Sequence, residues 1–114
     1  MQDLTMHAVE YALNGLAVRA DVTANNIANA SLPGFRPSRV SFENQLAGAL
    51  RSGDPRQLSD PSTSPIVSVP NGTNEVALED EVVDMIRTGL LRDSMVAAYN
   101  FKASQLRNAI RGGA

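Results

Sequence analysis

The side chains with any capacity for chemistry are few. Glu79, Asp80, Glu81 and Asp84 form an acidic run in which residues three and four apart share a helix face. Such carboxylates could pair for acid–base work or hold a divalent cation. No histidine and no second carboxylate cluster completes a ligand set, and the same charges in a first helical turn complement the helix dipole. His7 is the single histidine, which excludes any site built on two imidazoles. No Ser, Asp or Cys stands near it in a nucleophile–base motif. The chain has no cysteine, hence no disulfide, no thiolate nucleophile and no Cys-based zinc site. Nine arginines and one lysine are scattered singly, with Arg36 and Arg39 the only near-pair outside the helical stretches. No glycine-rich phosphate loop accompanies them. The acidic run therefore reads as dipole compensation, His7 as an ordinary helix-surface or interface residue, and the arginines as subunit contacts or solvated positions. The expectation is no enzyme, no cofactor and no metal.

The elements that carry these residues point the same way. The 114 residues allow one ordinary domain. Hydrophobic residues make up 43%, but fifteen positions are Ala and none is Trp, so a lone core would bury little area per residue. Ten basic against twelve acidic residues give a net charge of −2, too balanced for an electrostatic nucleic-acid binder. No apolar run approaches the roughly 18 residues of a membrane span. The first residues lack the basic-then-apolar layout of a cleaved secretory signal.

Three zones follow one another within one assembly domain. Residues 1–50 read as an N-terminal helix, an Asn/Pro-Gly turn and a short extended or helical segment. Met6, Val9, Leu13, Leu16, Ala20, Thr23 and Ile27 keep the 3,4 spacing of a heptad seam. The helix should end near Asn29–Ala30, because Leu32-Pro33-Gly34-Phe35 has the residues of a type II turn. Ser41 to Leu50 could form a short amphipathic helix with Phe42, Leu46 and Leu50 on one face. Residues 51–74 hold four of the six prolines and five serines, and read as a flexible linker that cannot bury enough to offset its ordering entropy. Residues 75–114 read as a C-terminal helix. Val82, Met85, Gly89, Arg92, Val96, Tyr99, Ala103, Leu106 and Ile110 keep heptad spacing, and Ile86, Leu90, Leu91 and Met95 widen the apolar face. The expected fold is all-α, with two long terminal helices pairing as an antiparallel coiled-coil hairpin around an extended, partly disordered middle segment. So thin a hairpin leaves apolar seams to be covered by neighbouring copies or partners.

One stretch is more specific. Ala24-Asn25-Asn26-Ile27-Ala28-Asn29-Ala30-Ser31-Leu32-Pro33-Gly34-Phe35 resembles the N-terminal signature of the flagellar basal-body rod and hook family. There a helix runs into N-x-A-N, a short polar step, and then T-P-G followed by Phe or Tyr. Asn26, Ile27, Ala28, Asn29, Ala30, Pro33, Gly34 and Phe35 match; Leu32 replaces the usual Thr and loses its hydroxyl. The Asn side chains can bond local backbone at a helix end, and the Pro-Gly turn lets Phe35 pack back. Asn71 to Glu81 resembles the family's G-N-x-V entry to the C-terminal helix, and Leu106 to Ile110 resembles the tail of a proximal-rod member. A P-N-V entry, typical of FlgC-like subunits, is absent.

The resemblance implies a structural subunit of the proximal rod, assembling helically into the axial drive shaft and forming part of the export channel. Its expected partners are further copies, FlgC-like and FlgF-like rod proteins, a FliE-like adaptor, the MS ring and the flagellar export gate. Its expected place is the basal body, on the periplasmic side of the inner membrane, reached through the flagellar type III apparatus. In this reading both seams close one hairpin. The broad second-helix face and the Asn29–Phe35 turn then meet adjacent subunits. The alternatives are a FlgC-like proximal-rod subunit and a soluble helical adaptor or chaperone for type III secretion.

Overall fold

The computed structural model describes residues 4–71 and 77–112. The chain forms helix α1 (Leu4–Ala28), strand β1 (Arg39–Ser41), helix α2 (Glu43–Ser52), strand β2 (Ile66–Ser68) and helix α3 (Leu78–Gly112). Two short 3-10 helices, Pro55–Ser59 and Pro61–Thr63, lie between α2 and β2. The architecture is mostly all-α, dominated by the two long terminal helices. The helix entry expected at residues 72–76 lies outside the described residues.

At about 1.5 Å per residue, the 25 residues of α1 and the 35 of α3 span about 37 and about 52 Å. They pack antiparallel, since Asn26 near the end of α1 bonds Glu81 in the first turn of α3. Further along, Met95 of α3 packs against the cluster that includes Tyr11, Ala12 and Leu16 of α1. The result is an elongated molecule of 64 × 26 × 17 Å.

The exit from α1 follows its sequence closely. Asn29 donates from its side chain to the Asn25 carbonyl at 2.8 Å, satisfying a helix-end acceptor. The Phe35 amide then closes on the Leu32 carbonyl at 3.2 Å. Gly34 sits between them at φ 77°, the left-handed value that position i+2 of a type II turn requires.

The core lies where α1 meets β1 and the start of α2, with Met95 of α3 against it. Tyr11, Ala12 and Leu16 of α1 meet Val40 of β1 and Phe42, with Leu46 and Leu58 against them. Phe42 stands edge-on to Tyr11, ring centroids 6.1 Å apart. The Arg19 guanidinium lies 4.7 Å from the centre of the Phe42 ring. Gly15 makes room for that ring: a Cβ there would stand 2.5 Å from its carbons.

Residues 51–71 take more fixed geometry than a flexible linker. Asp54 and Asp60 each precede a proline and accept the amide two residues on, from Arg56 at 3.0 Å and Ser62 at 2.8 Å. That pairs a side-chain cap with Pro at the first helical position, twice over. The Tyr11 hydroxyl donates to the Thr63 carbonyl, tethering the second turn to α1. Beyond it, β2 pairs antiparallel with β1, Arg39 opposite Ser68 and Ser41 opposite Ile66. This two-strand ladder was not legible beforehand, three residues being too short for a period-2 signal.

Candidate functional site

Two features stand out: a buried polar joint where the terminal halves meet, and an exposed apolar stripe on α3. The joint is built from the signature motif. Asn26 is 0% exposed, and its amide works in both directions. It donates to the Ser38 carbonyl at 2.9 Å and accepts from the Ser38 amide at 3.0 Å. That reciprocal pair pins the chain leaving the Pro-Gly turn back onto α1. The same amide nitrogen reaches Glu81 Oε1 at 3.1 Å. Arg39 closes the group with a 2.6 Å ion pair to that oxygen. Glu81 is 1% exposed, and its second oxygen has no hydrogen-bond partner among the described residues. Asn26 thus ties α1, the residue just before β1 and α3 together, while Asn29 caps the helix end.

This adds to two readings of the sequence. Glu81 stands with Glu79 and Asp80 in the acidic first turn of α3, but unlike them it is turned toward α1, where Asn26 and Arg39 compensate it. Arg39 is held within the chain by that ion pair. Its neighbour Arg36 instead donates to the Pro70 carbonyl at 2.6 Å, fastening the chain after β2 to the turn after α1.

A second charged pair flanks the core. Arg19 holds Glu43 through both carboxylate oxygens, at 2.7 and 2.9 Å, and also donates to the Val40 carbonyl at 2.7 Å. The Arg19 hydrogen bonds hold the Glu43 carboxyl down to about 2. Burial, and then the Glu43 charge, push the Tyr11 phenol up. Tyr11 therefore remains a neutral donor to Thr63 throughout the physiological range.

Of the seam expected on the first helix, Met6 and Leu16 are buried and Val9, Leu13 and Ile27 half-buried. In the turn, Phe35 is half-buried, while Pro33 and Gly34 lie exposed. On the second helix Tyr99 and Leu106 are half-buried, whereas Val82, Ile86, Leu90, Val96 and Ile110 are exposed. The buried positions of α3 are Glu81 and Thr88, seven residues apart, with half-buried Met95 one heptad further. Val83, Leu90 and Ala97 stand two positions on from each, about 200° around the helix. They form an outward stripe with Ile86 and Phe101. Leu90 is 64% and Phe101 65% exposed. The inward face of α3 mixes Glu81 and Thr88 with half-buried Met85, Met95, Tyr99 and Leu106, and a second apolar stripe stays outside, a division that heptad counting alone does not reveal.

Two recesses lie beside the joint and the charged pair. The smaller, about 60 Å³, is lined by Arg19, Thr23, Ser38, Arg39 and Asp84 among others, and the larger by Glu43, Arg87 and Leu91 among others. Neither brings a nucleophile to a base. Among the described residues no three His, Cys, Asp or Glu side chains converge as a metal site. No described helix is long and apolar enough to cross a membrane.

The stretch that forms α1, its exit turn and the start of the return is also the stretch with a family match. The model of the flagella basal body rod protein family matches residues 7–36. The flagellar basal body rod protein FlgB of Bacillus subtilis (strain 168) is 26% identical to this chain, over 96% of this chain and 95% of that protein. The chain is similar to the flagellar basal-body rod proteins. The similarity to that FlgB runs through almost the whole of both chains.

Proposed function

We propose that this chain is a structural subunit of the bacterial flagellar basal-body rod and that it catalyses no reaction. It works by assembling with further copies of itself and with other rod proteins. More finely, it belongs to the proximal rod and packs helically into the axial shaft that transmits torque and lines part of the export path. FlgC-like and FlgF-like subunits, a FliE-like adaptor, the MS ring and the export gate are its neighbours there, on the periplasmic side of the inner membrane. The flagellar type III apparatus delivers it.

The observation that carries this reading is a coincidence of two features. Similarity to a rod protein runs through almost the whole chain, and the chain leaves Val83, Ile86, Leu90 and Phe101 uncovered on its longest helix. Exposed apolar stripes of this kind mark sites where another protein sits. In the source bacterium, a tagged copy should co-purify with detergent-extracted basal bodies, and a Leu13→Asp copy, with a charge placed in the α1 seam, should not. Normal motility and intact rods in the Leu13→Asp strain would sink the proposal. Recovery of the native chain with secreted cargo, and never in basal bodies, would favour the adaptor reading.

A further inference from the structure

The orientation of α3 about its own axis poses a problem of energy. Turned by about half a revolution, the helix would bury Val83, Ile86, Leu90 and Phe101 in place of Glu81, Thr88 and the half-buried Met85, Met95, Tyr99 and Leu106. Apolar burial is worth roughly 25 cal/mol per Å², and with four large apolar residues on each face it does not choose between the two orientations. A buried carboxylate with one oxygen unpartnered adds a cost to the observed arrangement. What opposes the turn is the joint. Asn26 and Arg39 both converge on Glu81 Oε1, at 3.1 and 2.6 Å, and a turned α3 would leave the buried Asn26 amide without that acceptor.

We infer that the Asn26–Arg39–Glu81 cluster selects which face of α3 packs on α1, and so keeps the apolar stripe outside. Buried polar groups used in this way give up stability for one arrangement among several, as single polar residues do when they set coiled-coil register. The selection is a property of the single chain and stands apart from what later covers the stripe.

The absence of cysteine from the sequence makes a direct test simple. Single probes Thr88→Cys and Leu90→Cys are placed one at a time, and their rates of reaction with a maleimide are compared in the folded chain. In the otherwise native protein Leu90→Cys should react roughly tenfold or more faster, because a buried thiol waits for a local opening. Adding Glu81→Leu should bring the ratio to one or invert it, with helix content by circular dichroism unchanged. Glu81→Gln keeps an acceptor for Asn26 and Arg39 and should restore the native ratio. Arg39→Leu, which strands the carboxylate, should lower it as Glu81→Leu does.

Equal rates in the native background would overturn the inference. So would a native ratio in a helical Glu81→Leu or Arg39→Leu chain. If both Leu variants lose their helix content, the cluster holds the hairpin together instead of choosing its face, and the inference again falls.

Discussion

Helices α1 and α3 are both long and both rich in apolar residues, yet they treat those residues in opposite ways. Helix α1 is enclosed on two sides: Tyr11, Ala12 and Leu16 face Phe42 and Val40, while Asn26 reaches across to α3. Helix α3 has one covered side, which holds Glu81 and Thr88 with half-buried Met85, Met95, Tyr99 and Leu106. A second set of large apolar residues, Val83, Ile86, Leu90 and Phe101, faces solvent. The difference is between an element that completes its packing within the chain and one that leaves half its packing unmade. Stability should therefore be concentrated around α1, and the outer face of α3 should matter for association only.

Substitutions can break that contrast, and the largest effects should fall near α1. Phe42→Ala removes the ring that Tyr11, Arg19 and Gly15 surround, and should cost about 3–5 kcal/mol in urea unfolding followed by circular dichroism. A loss under about 1 kcal/mol there would mean that the cluster is not the core. Gly15→Ala comes next. Alanine ordinarily gains up to about 1 kcal/mol over glycine inside a helix. Here the added methyl meets the Phe42 ring, and overpacking of about 1–3 kcal/mol should reverse the sign. A stabilised Gly15→Ala would show that Phe42 is free to move aside.

Tyr11→Phe deletes the hydroxyl that holds Thr63, a loss of about 0.5–1.5 kcal/mol. Its sharper readout is trypsin cleavage after Arg56, which should accelerate as the 3-10 turns come off α1. Unchanged cleavage would place the restraint elsewhere.

The acid range offers a smaller and more selective probe. Arg19 holds the Glu43 carboxyl down to about 2, below its unfolded value of about 4.3. A group depressed on folding contributes stability that is complete above its unfolded value and is lost as pH falls through the folded one. Glu43 is largely exposed, so the contribution is modest. Between about pH 5 and pH 2 the urea midpoint of the native chain should fall more than that of Glu43→Gln; equal slopes would dismiss the pair. Smallest of all on the fold is Leu90→Ser, expected within about 0.5 kcal/mol of the native chain. The same change should weaken incorporation into basal bodies. A large loss of stability from Leu90→Ser would mean that the stripe is already covered within the chain.

Local signals carried much of the architecture. The type II turn at Leu32–Phe35 and the short helix after Ser41 follow from residue types whose conformational preferences act within a few positions. The two long helices followed from periodicity and from the absence of proline. Long-range pairings were less legible. Glu81 looked like its acidic neighbours because its distinguishing partners, Asn26 and Arg39, stand 55 and 42 residues away. The motif marked Asn26 as special without saying what it would hold. Gly15 and Phe42 gave no warning of each other, since a glycine's purpose in a helix shows only when the ring that fills the gap is in view. The pairs Asp54-Pro55 and Asp60-Pro61 are turn-forming residue types, but nothing local says that a tyrosine 52 residues away fastens the second. On α3, heptad counting found apolar positions and left open which of two apolar stripes would turn inward, because the choice was made by a charge.

The antiparallel course of α1 and α3 also has a mechanical side. Leu4 at the start of one and the last turns of the other lie toward the same end of a 64 Å molecule. Tension on the start of α1 meets the interhelix contacts one turn at a time, as in opening a zip, instead of loading all of them in shear. The long-range polar joint at Asn26 and Glu81 sits at the far end and is reached last. A hairpin of this geometry can be ordinary in equilibrium stability and still be drawn out lengthwise by a weak, steady pull.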